Sequence, residues 1–460
     1  MKAIKLAAGM ILVLSSIISP VDFLNSTDLT HVEAYQAAIK PSTRGMIREL
    51  QPNGDAFLIA ETGDIDPSKA VAYGGGYHVI VYTKRNTRNH FENIFATVVP
   101  GKETGDLNDY PISSLDSDYE HPAIAYHANS GLFIILYSHL QSEIYARVFS
   151  PANETIGPAV LISDDEVHKG FPAIACNQFD VICLAVYQQN GTLIKGRYLE
   201  VVNGEIINLS AIYDLTSDLE VDQPRLAWGR GQGTFLLAYD ERLASGEVRP
   251  AYTHIYDQRD PLAAEVLLHP SMPVIPGSVF SHGHDAFISD IAFDPCTEQF
   301  VLMIEYDAAG DGGSFDLWAA VLHARETIMN GTFPIADSPV SEQGGAIQFI
   351  TADQETYVCG NRDRLVVAYI NADVGLMATE LRGNSNPKKP SYKVDPVDQH
   401  LLIANQPDMF RITNSILSST GKGNQVLIAY DFLGIESSEF IIMGQFLSII
   451  HSVYLPLVMR

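Results

Sequence analysis

The feature that most constrains the fold is an internal repeat that runs through most of the chain. Its clearest copy reads His121-Pro-Ala-Ile-Ala-Tyr126, Leu132-Phe-Ile-Ile-Leu-Tyr137, Glu143-Ile-Tyr-Ala-Arg-Val-Phe149 and Ala159-Val-Leu-Ile-Ser163. A period of this length indicates an array of small, similar structural units. The second run recurs seven times, 50 to 67 residues apart, and each copy ends in a tyrosine: Tyr82, Tyr137, Tyr187, Tyr239, Tyr306, Tyr369 and Tyr430.

Each copy contains short runs of β-branched and aromatic residues separated by Gly, Asn, Asp and Pro, a pattern typical of strands joined by turns. The second run is apolar almost throughout, as expected of a strand that is covered on both faces. Blades of a β-propeller meet this requirement, because each blade lies between two neighbours. We therefore predict an all-β fold, a seven-bladed β-propeller of four-stranded antiparallel blades over residues 55–448.

The two ends of the repeat region predict how the ring closes. The seventh copy has three runs, Phe410-Arg-Ile-Thr413, Val426-Leu-Ile-Ala-Tyr430 and Phe440-Ile-Ile-Met-Gly-Gln-Phe446, and lacks a fourth. An unassigned run, Ala56-Phe-Leu-Ile-Ala60, precedes the first copy. We expect this N-terminal strand to complete the last blade, which removes exposed sheet edges. A closed ring needs no partner to cover its edges, so the sequence predicts a monomer.

The N-terminus predicts export. Lys2 and Lys5 precede a mostly apolar run, Leu6–Ile18, whose length suits a signal peptide and is too short to span a bilayer. We predict a signal peptide and leader over 1–34, an N-terminal extension over 35–54, a C-terminal tail over 449–460, and a secreted or cell-surface location without a membrane span in the mature chain. The alternative for the first segment is an uncleaved membrane anchor.

Four cysteines suit an oxidising compartment. Cys176 and Cys183 flank a short turn and can face each other across a hairpin. Cys296 and Cys359 lie in equivalent turns of consecutive copies and can bridge neighbouring units. A zinc site is the alternative, but no paired Cys/His spacing supports it.

The net charge of the chain disfavours some classes of binding partner. The chain has 55 acidic and 29 basic residues, a formal net charge of −26. Phosphate backbones and anionic lipid repel such a chain, so we expect no nucleic-acid partner. A glycan or an extracellular protein remains a compatible ligand.

The Pro-Ala-Ile-Ala-Tyr, apolar-Tyr and Ile-Tyr-Ala-Arg-Val runs resemble repeats of secreted bacterial β-propeller proteins, many without an assigned function. The resemblance implies the fold and extends distantly to sialidase- and glycosidase-type propellers, which implies a glycoside hydrolase or polysaccharide lyase as the enzymatic alternative. The Asp-box of sialidases is missing, and the nearest stretch is Asp311-Gly-Gly-Ser-Phe-Asp-Leu-Trp318. The tail Val453–Arg460 resembles a terminal sorting motif of exported proteins, with a frayed apolar end as the alternative.

One slot in the first run of each copy changes from alanine to polar residues around the ring. Buried charges are costly unless they are paired or used, so the change predicts a ligand-binding site in which two guanidinium groups hold an anionic sugar. An internal Arg225–Asp290 ion pair is the alternative. The slot holds Ala70, Ala123 and Ala173, and then Arg225, Asp290, Gln348 and Arg411.

The loops that enter the first runs are rich in carboxylates and imidazoles, which predicts candidate metal ligands: His121, His168, His282, His284 and Asp285. Ca²⁺ is the candidate cofactor for the acidic loops, including the loop Asp307–Asp316, and an ordinary solvated rim is the alternative. Asp290 and Glu305 are the catalytic candidates, because a carboxyl group in an apolar strand can act as a general acid. The alternative for Glu305 is a locally exposed strand.

These features together predict a binding module with a glycan or extracellular protein ligand at the mouth of the central channel. The alternatives are a carbohydrate-active enzyme with its site in the channel, and a structural protein of the cell envelope.

Overall fold

The structure is a computed structural model that describes residues 47–452 except 64–67, 87–88, 101–106, 164–166, 217–219, 230–232, 257–271, 275–283, 311, 313, 324–328, 337–340, 351–363, 384–391, 395–399, 406–409, 420–424 and 435–439. The predicted signal peptide and leader, tail residues 453–460, His282 and Cys359 lie outside the described residues. Arg48–Ser452 forms one compact unit. The described part of the chain contains no helix with the length and apolar character needed to cross a bilayer.

The first half of the ring follows two N-terminal strands, β1 (Ile47–Pro52) and β2 (Phe57–Gly63). Blade 1 contains β3 (Lys69–Gly74), β4 (Tyr77–Arg85), β5 (Glu92–Pro100) and β6 (Asp109–Pro111). Blade 2 contains β7 (Tyr119–His127), β8 (Leu132–His139), β9 (Glu143–Ser150), β10 (Thr155–Ile156) and β11 (Val160–Leu161). Blade 3 contains β12 (Lys169–Cys176), β13 (Ile182–Gln189), β14 (Leu193–Val202), β15 (Glu205–Leu209) and β16 (Tyr213–Asp214).

The second half has four blades. Blade 4 contains β17 (Glu220–Gly229), β18 (Thr234–Arg242), β19 (Val248–Tyr256) and β20 (Met272–Pro273). Blade 5 contains β21 (Ala286–Asp294), β22 (Gln299–Tyr306), β23 (Asp316–His323) and β24 (Met329–Ala336). Blade 6 contains β25 (Glu342–Ile350), β26 (Arg364–Asn371), β27 (Gly375–Gly383), β28 (Tyr392–Val394) and β29 (Leu401–Asn405). Blade 7 contains β30 (Phe410–Ser419), β31 (Gln425–Gly434) and β32 (Phe440–Ser452).

The predicted seven-bladed propeller is confirmed, including its closure. The N-terminal strand β2 pairs antiparallel with β32, and β1 also pairs with β32. The fourth place in blade 7 is thus filled by two short strands, as it is in blades 2, 3 and 6. Strand β1 lies in the segment predicted as an extension, and β32 continues to Ser452, so the last sheet takes in residues outside 55–448.

The core lies between the blades. The first strands of consecutive blades contact one another around the whole ring, and β3 contacts β30. Seven apolar clusters each join two adjacent blades, including blades 7 and 1. The second strand of each blade is covered by these clusters on both faces, as its apolar sequence predicts: in β18 every residue from Thr234 to Glu241 is buried.

A bulge interrupts the first strand in blades 2, 3 and 4, just before a proline. The bulged residues His121, Phe171 and Gln223 have φ values of 50°, 46° and 44°. Side chains other than glycine adopt this left-handed region at a cost, and such strain is often found at functional sites. Each bulge lies where its first strand begins; we call this end of the ring the entry face.

Candidate functional site

The structure places two of the four polar residues predicted for the slot, Arg225 and Asp290, at one equivalent position of the first strands, and Gln348 and Arg411 at other positions. In each blade, the equivalent position is the residue of the first strand that pairs with the fifth residue of the second strand. Ala346 and Ile416 take this place in blades 6 and 7, while Gln348 pairs with Val366 and Arg411 pairs with Leu433. The slot therefore contains Ala70, Ala123, Ala173, Arg225, Asp290, Ala346 and Ile416.

Arg225 is directed from blade 4 toward blade 5. Its Nε donates to the Ser289 carbonyl oxygen at 3.1 Å, and its Nη2 donates to Gln223 Oε1 at 3.3 Å. Burial raises the pKa values of three carboxyl groups around it, those of Asp240, Asp290 and Glu305, and the positive charge of Arg225 partly offsets this rise. A guanidinium group already balanced by three acids is poorly suited to the anionic ligand that the sequence suggested.

Asp290 is anchored by backbone amides. Its Oδ1 accepts a hydrogen bond from Ile291 N at 2.7 Å, and its Oδ2 accepts one from Ile347 N in blade 6 at 2.8 Å. Burial raises its pKa to about 6, although these two bonds and Arg225 lower it. No ion pair joins Asp290 to Arg225 within the described residues, so the predicted pairing is replaced by a longer-range attraction.

Glu305 also connects two blades. Its Oε1 accepts hydrogen bonds from Gly344 N at 2.9 Å and Gly345 N at 3.4 Å, both in blade 6. Its pKa is raised, chiefly by burial. It is the seventh residue of β22, whereas Tyr306 is the eighth, because this strand places Ile304 where the other blades have their tyrosine.

Asp240, the seventh residue of β18, was not predicted from the sequence. Its Oδ1 accepts a hydrogen bond from Ile288 N in blade 5 at 2.8 Å. Burial raises its pKa to about 7, and nearby Asp222 and Glu305 raise it further. The residue that follows each repeat tyrosine was the available signal, since it is polar in six copies: Thr83, Ser138, Gln188, Asp240, Asp307 and Asp431.

A second group of polar side chains lies on the entry face of blades 2 to 4. Gln141 Nε2 donates to Glu120 Oε2 at 3.0 Å, and its Oε1 lies 3.1 Å from His168 Nε2. The His121 and Phe171 rings are 4.3 Å apart between blades 2 and 3. We call these residues, together with Asp222 and Gln223, the entry rim.

The entry rim is coupled electrostatically across three blades. Burial lowers the pKa of His121, and His168 lowers it further, while Glu120 and Asp222 raise it. Asp222 Oδ1 accepts hydrogen bonds from Gln188 Nε2 in blade 3 and from Gln223 N. The rim is therefore a set of exposed and half-buried hydrogen-bond donors and acceptors around the half-buried Phe171 ring.

The candidate metal ligands that the structure describes, His121, His168, His284 and Asp285, do not form a metal-binding group. His284 Nδ1 donates to the Asp307 carbonyl oxygen at 2.8 Å, and Asp285 Oδ1 accepts a hydrogen bond from Val248 N at 2.8 Å. The Asp307 carboxylate accepts hydrogen bonds from the amides of Gly310 and Gly312, which orders its own loop. Within the described ranges no group of three His, Cys, Asp or Glu side chains could hold a metal ion.

The cysteines agree with the predicted hairpin bridge. Cys176 and Cys183 lie opposite each other in β12 and β13 and form a disulfide. Cys296 is also disulfide-bonded. Cys359, its predicted partner, lies outside the described residues.

No protein-family model matches this chain, and no curated protein does. Solved structures do. A protein of unknown function from Dyadobacter fermentans DSM 18053 is similar over 87% of this chain and 99% of its own, at 11% identity and a TM-score of 0.44. The intramolecular trans-sialidase from Ruminococcus gnavus is similar over 85% and 96%, at 9% identity and a TM-score of 0.45.

The GH93 α-L-arabinofuranosidase of Fusarium graminearum is similar over 73% of this chain and 95% of its own, at 9% identity and a TM-score of 0.43. These neighbours are of the kinds that the sequence resemblance named, an unassigned protein and glycan-acting enzymes. At such identities and TM-scores they assign no activity to this chain.

Proposed function

We propose that the protein is a ligand-binding β-propeller that holds a glycan segment on the entry rim of blades 2 to 4. The observation that carries the proposal is the row of three strained bulges, which presents His121, Phe171 and Gln223 side by side on one face. Planar polar groups suit sugar hydroxyls, and a half-buried aromatic ring suits the apolar face of a sugar.

The charges favour a neutral or positively charged glycan. Glu120 and Asp222 lie on the rim, and Asp240, Asp290 and Glu305 surround Arg225 at the neighbouring blades. An anionic sugar would therefore meet more carboxylates than cations on this side of the ring. The net charge of the whole chain, −26, adds to the repulsion of an anionic ligand.

The proposal includes an extracellular setting. The Cys176–Cys183 disulfide is of the kind that persists in oxidising compartments. We propose a secreted or cell-surface monomer whose ligand is a glycan of an extracellular polymer or surface. An extracellular protein that carries such a glycan is a compatible partner.

The enzymatic alternative receives less support. Asp290 and Glu305, the candidate acids, each accept hydrogen bonds from backbone amides of blade 6. These contacts suit carboxylates that hold blades together. The carbohydrate-active enzyme based on these two residues therefore remains the second candidate.

A glycan-array screen of the purified protein, with and without EDTA, tests binding and any need for divalent cations. Hits are then measured by calorimetry with Phe171→Gly and Gln223→Gly. Glycine adopts the left-handed φ of both positions without cost, so the folds should be retained. We expect at least tenfold weaker binding for both variants, in the absence and presence of EDTA alike.

The matched control is Asn203→Gly. Asn203 also has a positive φ of 51° but lies in the turn between β14 and β15, on the face opposite the entry rim. Its affinity should stay within twofold of the unmodified protein. Failure to bind any glycan, or equal losses in all three variants, would overturn the proposal.

A further inference from the structure

Three side chains on the entry face of blade 2 are arranged as nucleophile, base and acid. Ser117 Oγ lies 2.9 Å from His139 Nε2, and His139 Nδ1 lies 2.8 Å from Glu143 Oε2. A nucleophile bonded to a base that is itself oriented by a third group defines a hydrolytic triad on any fold. We propose that Ser117, His139 and Glu143 form a serine-esterase site that borders the entry rim in blade 2; the proposal does not rest on the glycan site.

The hydrogen bonds fix the imidazole tautomer. An ionised carboxylate only accepts hydrogen bonds, so His139 Nδ1 must carry the proton that Glu143 receives. Nε2 is then left to accept the proton of the Ser117 hydroxyl. This is the orientation that a general base needs before nucleophilic attack.

The acid of the triad is held in its ionised form. The pKa of Glu143 is lowered, chiefly by its hydrogen bond with His139, and the Tyr145 hydroxyl adds a second bond to Oε2 at 3.0 Å. The Tyr119 ring stacks on the His139 imidazole with centroids 4.7 Å apart. The base is thus held from two sides.

The backbone around the triad is strained and ordered. His139 ends β8 and Glu143 begins β9, and the turn between them places Leu140 and Gln141 at φ values of 48° and 51°. The loop that carries Ser117 is held from blade 1, where Asn93 Nδ2 donates to its carbonyl oxygen at 2.9 Å. Backbone strain of this kind is concentrated at functional sites.

Solvent and substrate can reach the triad. The side chains of His139 and Glu143 are 20% and 32% exposed, and Ser117 is half-buried. Leu115, which is 43% exposed, adds apolar surface two residues before the nucleophile. Asp116, Asp118 and Glu120 surround the loop with negative charge, so the acyl group of the substrate should be neutral or cationic.

The reaction class is hydrolysis of a carboxylic ester. Ser117 Oγ attacks the carbonyl carbon while its proton moves to His139 Nε2. The ester C–O bond breaks, the leaving alcohol takes that proton, and an acyl-serine forms. Water then gives a proton to Nε2 and its oxygen to the acyl carbon. The bond between the acyl carbon and Ser117 Oγ breaks, Oγ takes the proton back from Nε2, and the acid is released.

The test uses a fluorophosphonate probe, which phosphorylates an activated serine and expels fluoride, with peptide mass mapping and hydrolysis of 4-nitrophenyl acetate. We expect one adduct, on Ser117, that is lost in Ser117→Ala. In His139→Gln the labelling and hydrolysis rates should fall about 100-fold or more. Glu143→Gln, which removes a positioning residue, should lower kcat and leave KM within twofold, with partial recovery in Glu143→Asp.

Blade 2 supplies its own matched control. Ser130 Oγ lies 2.7 Å from His127 Nδ1, but the other nitrogen of that ring meets the Asp180 carbonyl oxygen and not a carboxylate. Ser130→Ala should therefore label and hydrolyse like the unmodified protein. Absence of an Ser117 adduct in the unmodified protein overturns the inference even if a variant fails to fold, as does unchanged labelling in His139→Gln.

Discussion

Two kinds of blade interface place a carboxylate at the same point of the sheet and use it differently. Asp431 and Asp240 are both the seventh residue of a second strand, and both reach the next blade. Between blades 7 and 1, Asp431 pairs with Lys69, and both side chains are fully buried. Between blades 4 and 5, Asp240 accepts a backbone N–H, and its pKa rises to about 7.

The difference follows from how each interface is made. Blades 4 and 5 follow each other in the chain, whereas blades 7 and 1 are held together by packing, by the Lys69–Asp431 ion pair and by the N-terminal strands. Loss of one partner from a fully buried ion pair is strongly destabilising, because the other charge is left buried without a counterion. Such a pair suits the interface between blades 7 and 1, which closes the ring and which we call the seam. At Asp240, burial is instead the main reason that the pKa of the carboxyl group rises to about 7, and the neighbouring acids Asp222 and Glu305 contribute less.

The largest expected effect is at the seam. Asp431→Asn removes the anion and leaves the Lys69 ammonium buried without its counterion, so the free energy of unfolding should fall by about 3–5 kcal/mol. Denaturant unfolding at pH 8 measures this. A loss below about 1 kcal/mol would show that the ion pair is not what holds the seam.

The same substitution at Asp240 should have the opposite sign. Because its folded pKa is raised above the unfolded value, the folded state keeps a proton that the unfolded state loses, and stability falls as pH rises from about 4 to about 7. Asp240→Asn removes this loss and keeps an acceptor for Ile288 N. We expect a gain on the order of 2–4 kcal/mol at pH 8 and little change at pH 4.

Unfolding at both pH values checks this prediction. A destabilised Asp240→Asn at pH 8 would contradict it and would make the two interfaces equivalent. Asp431→Asn at pH 8 serves as the reference with the opposite sign.

A smaller effect tests the Glu305 interface. A Cβ on Gly345 would lie 2.7 Å from Leu317 Cδ1 and 2.9 Å from Ser289 Oγ, so Gly345→Ala should separate Glu305 from blade 6. We expect a loss of about 1–3 kcal/mol, the usual cost of overpacking. The matched control is Gly157→Ala, where φ is likewise not positive and the atoms nearest to an added Cβ are 3.5 Å away, in ordinary contact; equal losses would mean that steric contact is not the cause.

The sequence was informative about the fold because the repeat tyrosines and apolar second strands record burial directly. The closing strand β2 was predictable from the missing fourth run of blade 7, but β1 has no such partner pattern. Glu305 drew attention as the residue before Tyr306, yet in the sheet it is equivalent to Asp240. Tyr306 lies two residues further along its strand than the repeat tyrosines of the other blades, and a run of apolar residues gives no sign of such a shift.

The site was less predictable for the same reason. The slot assignment failed at Gln348 and Arg411 because bulges change the register, and only an X-Pro pair, such as Gln223-Pro224, hints at one. Ser117, His139 and Glu143 carry no motif, since three separate elements and a tight turn bring their side chains together.

Because β1 and β2 pair with β32, the sheet of blade 7 can form only after the C-terminal strand has been synthesised. A ribosome delivers the earliest strands long before the latest one, so β1 and β2 must wait, unpaired, until nearly the whole polypeptide has emerged. Loss of the last forty residues would leave these nascent strands with no mate, and such a product is a ready substrate for aggregation or for quality-control proteases.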